Sequence, residues 1–151
     1  MIEKNVENGV NSYKEYMGQC YALRALMYFY ALRVWGRVPI HTIPVESLTQ
    51  PTELPRSPIA DVKKRIQDDI AESLKTINTT TGLAPAAGQK YYMLKGAVYA
   101  MQTDVHIWFQ EYDEALTASQ NCITASKCTW VTSITDWKKM FLDPLSSTET
   151  I

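Results

Sequence analysis

Three cysteines and two histidines are the strongest candidates for metal or redox chemistry in this chain, and their spacing argues against both. Cys20, Cys122 and Cys128 form no CxxC pair and cannot all pair with one another. They read as small buried hydrophobes. His41 and His106 stand in different segments, without the HExxH spacing that sets two imidazoles on one helix face. Asp68 with Asp69, and Asp113 with Glu114, are adjacent in sequence and so leave a helix in different directions, unlike an acid/base couple facing one substrate. They read as surface charge. The six glycines are too scattered for a phosphate-cradling loop, and no nucleophile elbow or calcium loop appears. The expectation is a protein without catalytic residues, metal or cofactor.

Aromatic rings are the remaining chemistry, because a tryptophan face flanked by amides and carboxylates can stack on a sugar. Four tryptophans are present. Trp108 falls on a regular apolar stripe and Trp35 ends another, so both read as core, whereas Trp130 and Trp137 lie in an irregular stretch. No ligand-binding residue is assigned from sequence.

The elements that would carry these residues are helices. Over 12–36, Tyr16, Cys20, Leu23, Leu26 or Met27, Tyr30 and Val34 recur at three- and four-residue spacing, and Gly36 and Pro39 stop the helix. Four prolines across 37–57 exclude helix there and predict an extended surface strap. The second helix, 58–77, should open with Ser57 as N-cap and Pro58 in the first helical position. Its apolar stripe is Ile59, Val62, Ile66, Ile70 and Leu74. The face bearing Lys63, Lys64, Arg65, Asp68 and Asp69 reads as solvated.

After a loop through Gly82 and Gly88, a third helix over 90–109 carries Leu94, Ala97, Val98, Met101, Val105 and Trp108. The fourth, over 112–127, carries Tyr112, Ala115, Leu116, Ser119, Cys122 and Ile123, whose small members permit close packing. Residues 136–142 could form a short helix in an otherwise irregular tail, 129–151. Arg24, Arg33 and Arg37 are placed to bond carbonyls or carboxylates of the scaffold.

The last two main helices form a hairpin with a very short connection. Tyr112-Asp113-Glu114-Ala115 has the aromatic-x-x-small opening of a tetratricopeptide second helix, with Gln110 where the turn usually has glycine. One such pair cannot bury its own face and must stack on another. The fold class is therefore all-α: two tetratricopeptide-like pairs with long loops, a fragment of an α-α superhelix.

Composition agrees with one globular unit of 151 residues, 46% hydrophobic. Fifteen Lys+Arg balance 16 Asp+Glu, and a pI near 6.1 argues against a nucleic-acid partner. The longest apolar run, Ala25 to Leu32, is far short of the roughly 20 residues of a membrane span.

Four blocks of the sequence together resemble a known family. Gln19 through Leu32, then Trp35-Gly36-Arg37-Val38-Pro39, resembles the "EARFLRAL-x-YF-x-L … fG-x-vP" block of the SusD/RagB family. Arg56-Ser57-Pro58 through Ile70 resembles its "R-x-s/p … I-x-x-DL" helix, with Ser73 where alanine is usual. Lys95-Gly96-Ala97 through Trp108, Tyr112 and Ala115 resembles the following helix pair, and Asp136-Trp137 through Phe141 the segment beyond it. The resemblance implies a partial SusD-like domain over 1–151, with its helical scaffold at 12–128. It also implies a non-catalytic, cell-surface lipoprotein of the outer membrane that binds a glycan or other nutrient beside a SusC-like TonB-dependent transporter. The export signal and lipidation cysteine would lie outside this chain. From the helix hairpin alone, the alternative is a tetratricopeptide-like adaptor that binds a protein or peptide partner.

Overall fold

The computed structural model describes residues 12–47, 53–77, 93–126 and 129–143. They form five helices in chain order, with no strand among the described residues: α1 (Ser12–Trp35), α2 (Ile59–Thr76), α3 (Lys95–Trp108), α4 (Tyr112–Ser126) and α5 (Ile134–Leu142). The all-α class and the two-pair arrangement are as the periodicity predicts. α1 packs along α2 and α3 along α4, and the pairs join through α3 against α2 and α1. α5 packs on none of the other four.

The core lies between the pairs. Ala22, Ala25, Phe29 and Leu32 of α1 meet Val62, Ile66 and Ile70 of α2 and Val98, Met101 and Val105 of α3. Small residues bring α1 against α2. At Gly18 a Cβ would lie 2.7 Å from both Ile77 Cγ1 and Thr76 Oγ1, so only glycine fits this approach. On α4, Ala115, Ala118 and Cys122 play the same part, and Cys122 Sγ reaches Gly96 O of α3 at 3.4 Å.

Three sequence expectations are corrected here. The α1 face built on Tyr16, Leu23, Met27, Tyr30 and Val34 points outward, and Cys20 on it is exposed. On α4, Tyr112, Leu116 and Ile123 are exposed for the same reason: the close-packed faces of both helices use their small residues. At α2 the N-cap is Pro58 (φ −55°, ψ 150°), not Ser57, and no side chain caps the helix. The Ser57 N–H is instead committed to Val38 O at 3.0 Å, which holds it extended.

The strap after α1 is fastened by backbone recognition. Gly36 leaves the helix at φ +68°, a left-handed conformation that costs glycine little. Tyr28 Oη then accepts from His41 N–H at 2.7 Å and lies 3.0 Å from His41 O, to which it donates. Arg37 donates to Arg56 O. At the α3–α4 turn Gln110 takes φ 60° in the place where the repeat pattern expects glycine. In the tail, Ser133 caps α5 by accepting from Asp136 N–H. The loop through Gly82 and Gly88, and Cys128, lie outside the described residues.

Ser73, on the inner face of α2, is fully buried and its hydroxyl makes no hydrogen bond. A buried hydroxyl without a partner carries its desolvation cost uncompensated. Ser73→Ala should therefore raise the unfolding free energy by about 1–2 kcal/mol, aided by the better helix propensity of alanine. Urea titration checks the sign; a loss of stability would show that the hydroxyl is paired in solution.

Candidate functional site

The charged residues of the scaffold divide into a buried clasp, a turn cluster and an exposed platform. In the clasp, Asp69 of α2 is buried with 1% of its side chain exposed and receives both Arg24 Nε and Nη2 of α1 at 2.7 Å. Arg65 adds a third contact at 3.3 Å. This fork-on-carboxylate geometry is the strongest form of such a pair. It raises the Arg24 pKa, mainly through the hydrogen bond to Asp69 and against the opposing effect of burial. Asp69 is therefore a structural ion, not the surface charge its neighbour Asp68 remains.

The turn cluster joins the pairs. Glu111, between α3 and α4, accepts from Lys63 of α2 through one oxygen and lies 2.8 Å from His106 Nδ1 through the other. The Lys63 hydrogen bond first, and the His106 one second, hold the Glu111 carboxyl below its ordinary pKa of 4.5. Lys63 also stands 4.6 Å from the Phe109 ring centroid. His106 then lines a polar groove of about 360 Å³ with Gln102, Asp113, Glu114, Thr117 and Asn121. No group of three metal-ligating side chains forms there or elsewhere among the described residues.

The platform lies where the C-terminal ends of α1 and α3 meet. Trp108 makes an edge-to-face contact with buried Phe29 at 6.4 Å, and Arg33 lies over both rings at 5.1 and 5.2 Å. Tyr30 stands 6.0 Å from the same guanidinium, and Asp104 accepts from Arg33 Nη1 at 3.3 Å. Trp108 is nonetheless 47% exposed, and Trp35 more so, which corrects the reading of both as core. Both are the last residues of their helices. Trp130 and Trp137 are also exposed. The product is a half-open indole beside an exposed arginine–carboxylate pair, with the groups a sugar needs for ring stacking and hydroxyl bonding.

All three arginines singled out in the sequence bond scaffold acceptors: Arg24 to Asp69, Arg33 to Asp104 and Arg37 to Arg56 O. An apolar recess of about 320 Å³ in the strap, lined by Ile40, Ile43, Pro44, Val45 and Leu54, is a further surface feature that no sequence motif marks.

Two stacked antiparallel helix pairs, tied by a clasp within one pair and a turn cluster between them, define a tetratricopeptide-like scaffold. Solved structures carry the same arrangement. A SusD-like protein of Bacteroides fragilis superposes with a TM-score of 0.60 at 22% identity, over 72% of this chain and 20% of that one. NanU of B. fragilis gives 0.66 at 24% identity, over 84% of this chain and 26% of that one. A SusD-like family model, described as starch-binding and associating with the outer membrane, matches residues 1–100. A SusD-like protein of Formosa agariphila is 31% identical over 129 residues, which is 85% of this chain and 24% of that protein. This chain belongs to the SusD-like family. It spans about a quarter of the length of these relatives.

Proposed function

We propose that this chain is the helical scaffold of a non-catalytic, glycan-binding lipoprotein of the outer membrane, which hands its ligand to a SusC-like TonB-dependent transporter. Membership of a family described as starch-binding and associating with the outer membrane carries the reading. The half-open platform of Trp108, Arg33 and Asp104 supports it, because it offers an aromatic face and two oriented polar groups without an acid/base pair. No helix among the described residues is long and apolar enough to cross a membrane; in this reading a lipid on the parent protein attaches it. The strap between α1 and α2 interrupts a 34-residue repeat, which leaves the peptide-adaptor reading without a supporting observation.

Affinity electrophoresis of the full-length protein in gels containing soluble starch, or a panel of neutral and acidic polysaccharides, tests it. At least one polysaccharide should retard the protein, and Trp108→Ala should weaken that binding about tenfold, the loss of one stacked ring. A TonB-dependent transporter should copurify from detergent-extracted outer membranes. Failure of every polysaccharide to retard the protein would overturn the glycan reading; retardation unchanged by Trp108→Ala would remove the platform from it.

A further inference from the structure

α1 is apolar on both sides. Its inner side supplies Ala22, Ala25, Phe29 and Leu32 to the core. Its outer side carries Tyr16, Cys20, Leu23, Met27, Tyr30 and Val34, all exposed, the five larger ones by 45–66%. These positions follow one another at intervals of four, three, four, three and four residues. That alternation keeps them on one line along the helix, about 27 Å from end to end at 1.5 Å per residue. None of the other described helices lies on it: α2 and α3 take the opposite side and α5 touches neither.

A surface helix has one apolar stripe, and a helix apolar all round belongs inside a larger body. The spacing of the outer stripe also specifies what covers it, since three- and four-residue ridges are complementary to the ridges of another helix. The exposed side chains amount to on the order of 500 Å², at the upper end of what a monomer leaves open. That is well below the roughly 800 Å² per partner typical of a stable complex between separate molecules. An intramolecular neighbour needs no such area, because it loses no translational freedom on docking. The relatives are more than three times as long as this chain, so they carry ample polypeptide to supply one.

We infer that the outer face of α1 is an internal interface, covered in the parent protein by a helix of the same polypeptide lying outside residues 1–151. α1 is then the middle layer of a three-layer stack, not the edge of a two-pair bundle. Cys20 sits on this seam and reports on it directly.

Pulse alkylation with a maleimide, read peptide by peptide by mass spectrometry, tests the proposal on the 151-residue chain and on the full-length protein. In the short chain, with its helicity confirmed by circular dichroism, Cys20 should label at the rate of an open thiol. In the full-length protein alone the rate should fall at least fiftyfold. Met27→Glu should leave the melting temperature of the short chain within a degree or two and lower that of the full-length protein by several degrees. Equal labelling in both proteins would overturn the inference. So would protection in the short chain that grows with concentration alongside a sedimenting dimer, which assigns the face to a second copy. Protection of the full-length protein only when a transporter is bound would overturn it too. None of these measurements involves a polysaccharide, so they stand or fall apart from the glycan reading.

Discussion

Asp69→Ala should lower the unfolding free energy by about 3 kcal/mol, among the largest effects of any single change to a charged residue here. The carboxylate is the common acceptor of Arg24 and Arg65, and both Arg24 contacts are 2.7 Å long. Removing one partner of a buried pair strands the other charge, which typically costs 3–5 kcal/mol. The lower end applies because each arginine keeps roughly a third of its side chain in water and can rehydrate in part. Arg65→Ala should cost under about 1 kcal/mol, since it makes a single, longer contact at 3.3 Å. Chemical denaturation of the three proteins checks the ranking. An Asp69→Ala protein as stable as Arg65→Ala would mean that α1 and α2 are held by apolar contacts alone.

The position of Asp69 shows what the sequence makes legible and what it conceals. Val62, Ile66, Asp69 and Ser73 follow the four-three-four spacing of a buried face, so a helical wheel already places Asp69 on the inner side of α2. Residue type argued the other way, because a lone acid beside Asp68 in a charged run is ordinarily solvated. Arg65 stands four residues back on the same helix, but the close fork that makes the burial tolerable comes from α1, 45 residues upstream. That pairing is tertiary and leaves no local mark.

α1 presents the converse difficulty. Periodicity detects an apolar stripe but cannot rank two of them, and the bulkier one was the natural choice for core. The packed face is the one with Gly18, Ala22 and Ala25, because close approach of two backbones needs small side chains more than it needs large apolar ones. The same logic hid the platform. Arg33, Asp104 and Trp108 come together only because α1 and α3 end side by side, a juxtaposition that belongs to the packing of the two helix pairs and that no motif records. What the sequence did disclose was the order of the helices, the glycine exit at Gly36 and the unusual turn residue Gln110. Each of those is written in local backbone chemistry.

Phe29→Ala is the change expected to couple the core to the platform. Phe29 is 1% exposed and is the largest of the fully buried side chains, at the point where α1, α2 and α3 converge. Truncating such a ring removes its transfer free energy and leaves a cavity that the surrounding helices fill only in part, for a loss of about 3–5 kcal/mol. Against the 5–15 kcal/mol of an ordinary domain, that brings a small helical body near its limit. The ring has a second role: Trp108 rests edge-on against it and Arg33 lies over it, so its loss frees both groups at once. Phe29→Leu separates the two roles, because it refills most of the volume for about 1 kcal/mol but restores no aromatic edge or face. The expected pattern in the full-length protein is therefore a nearly native melting temperature for Phe29→Leu with weakened polysaccharide retardation, and a loss of both for Phe29→Ala. If Phe29→Leu binds like the native protein, Arg33 and Trp108 hold their places without the ring, and the platform is fixed from α3 through Asp104.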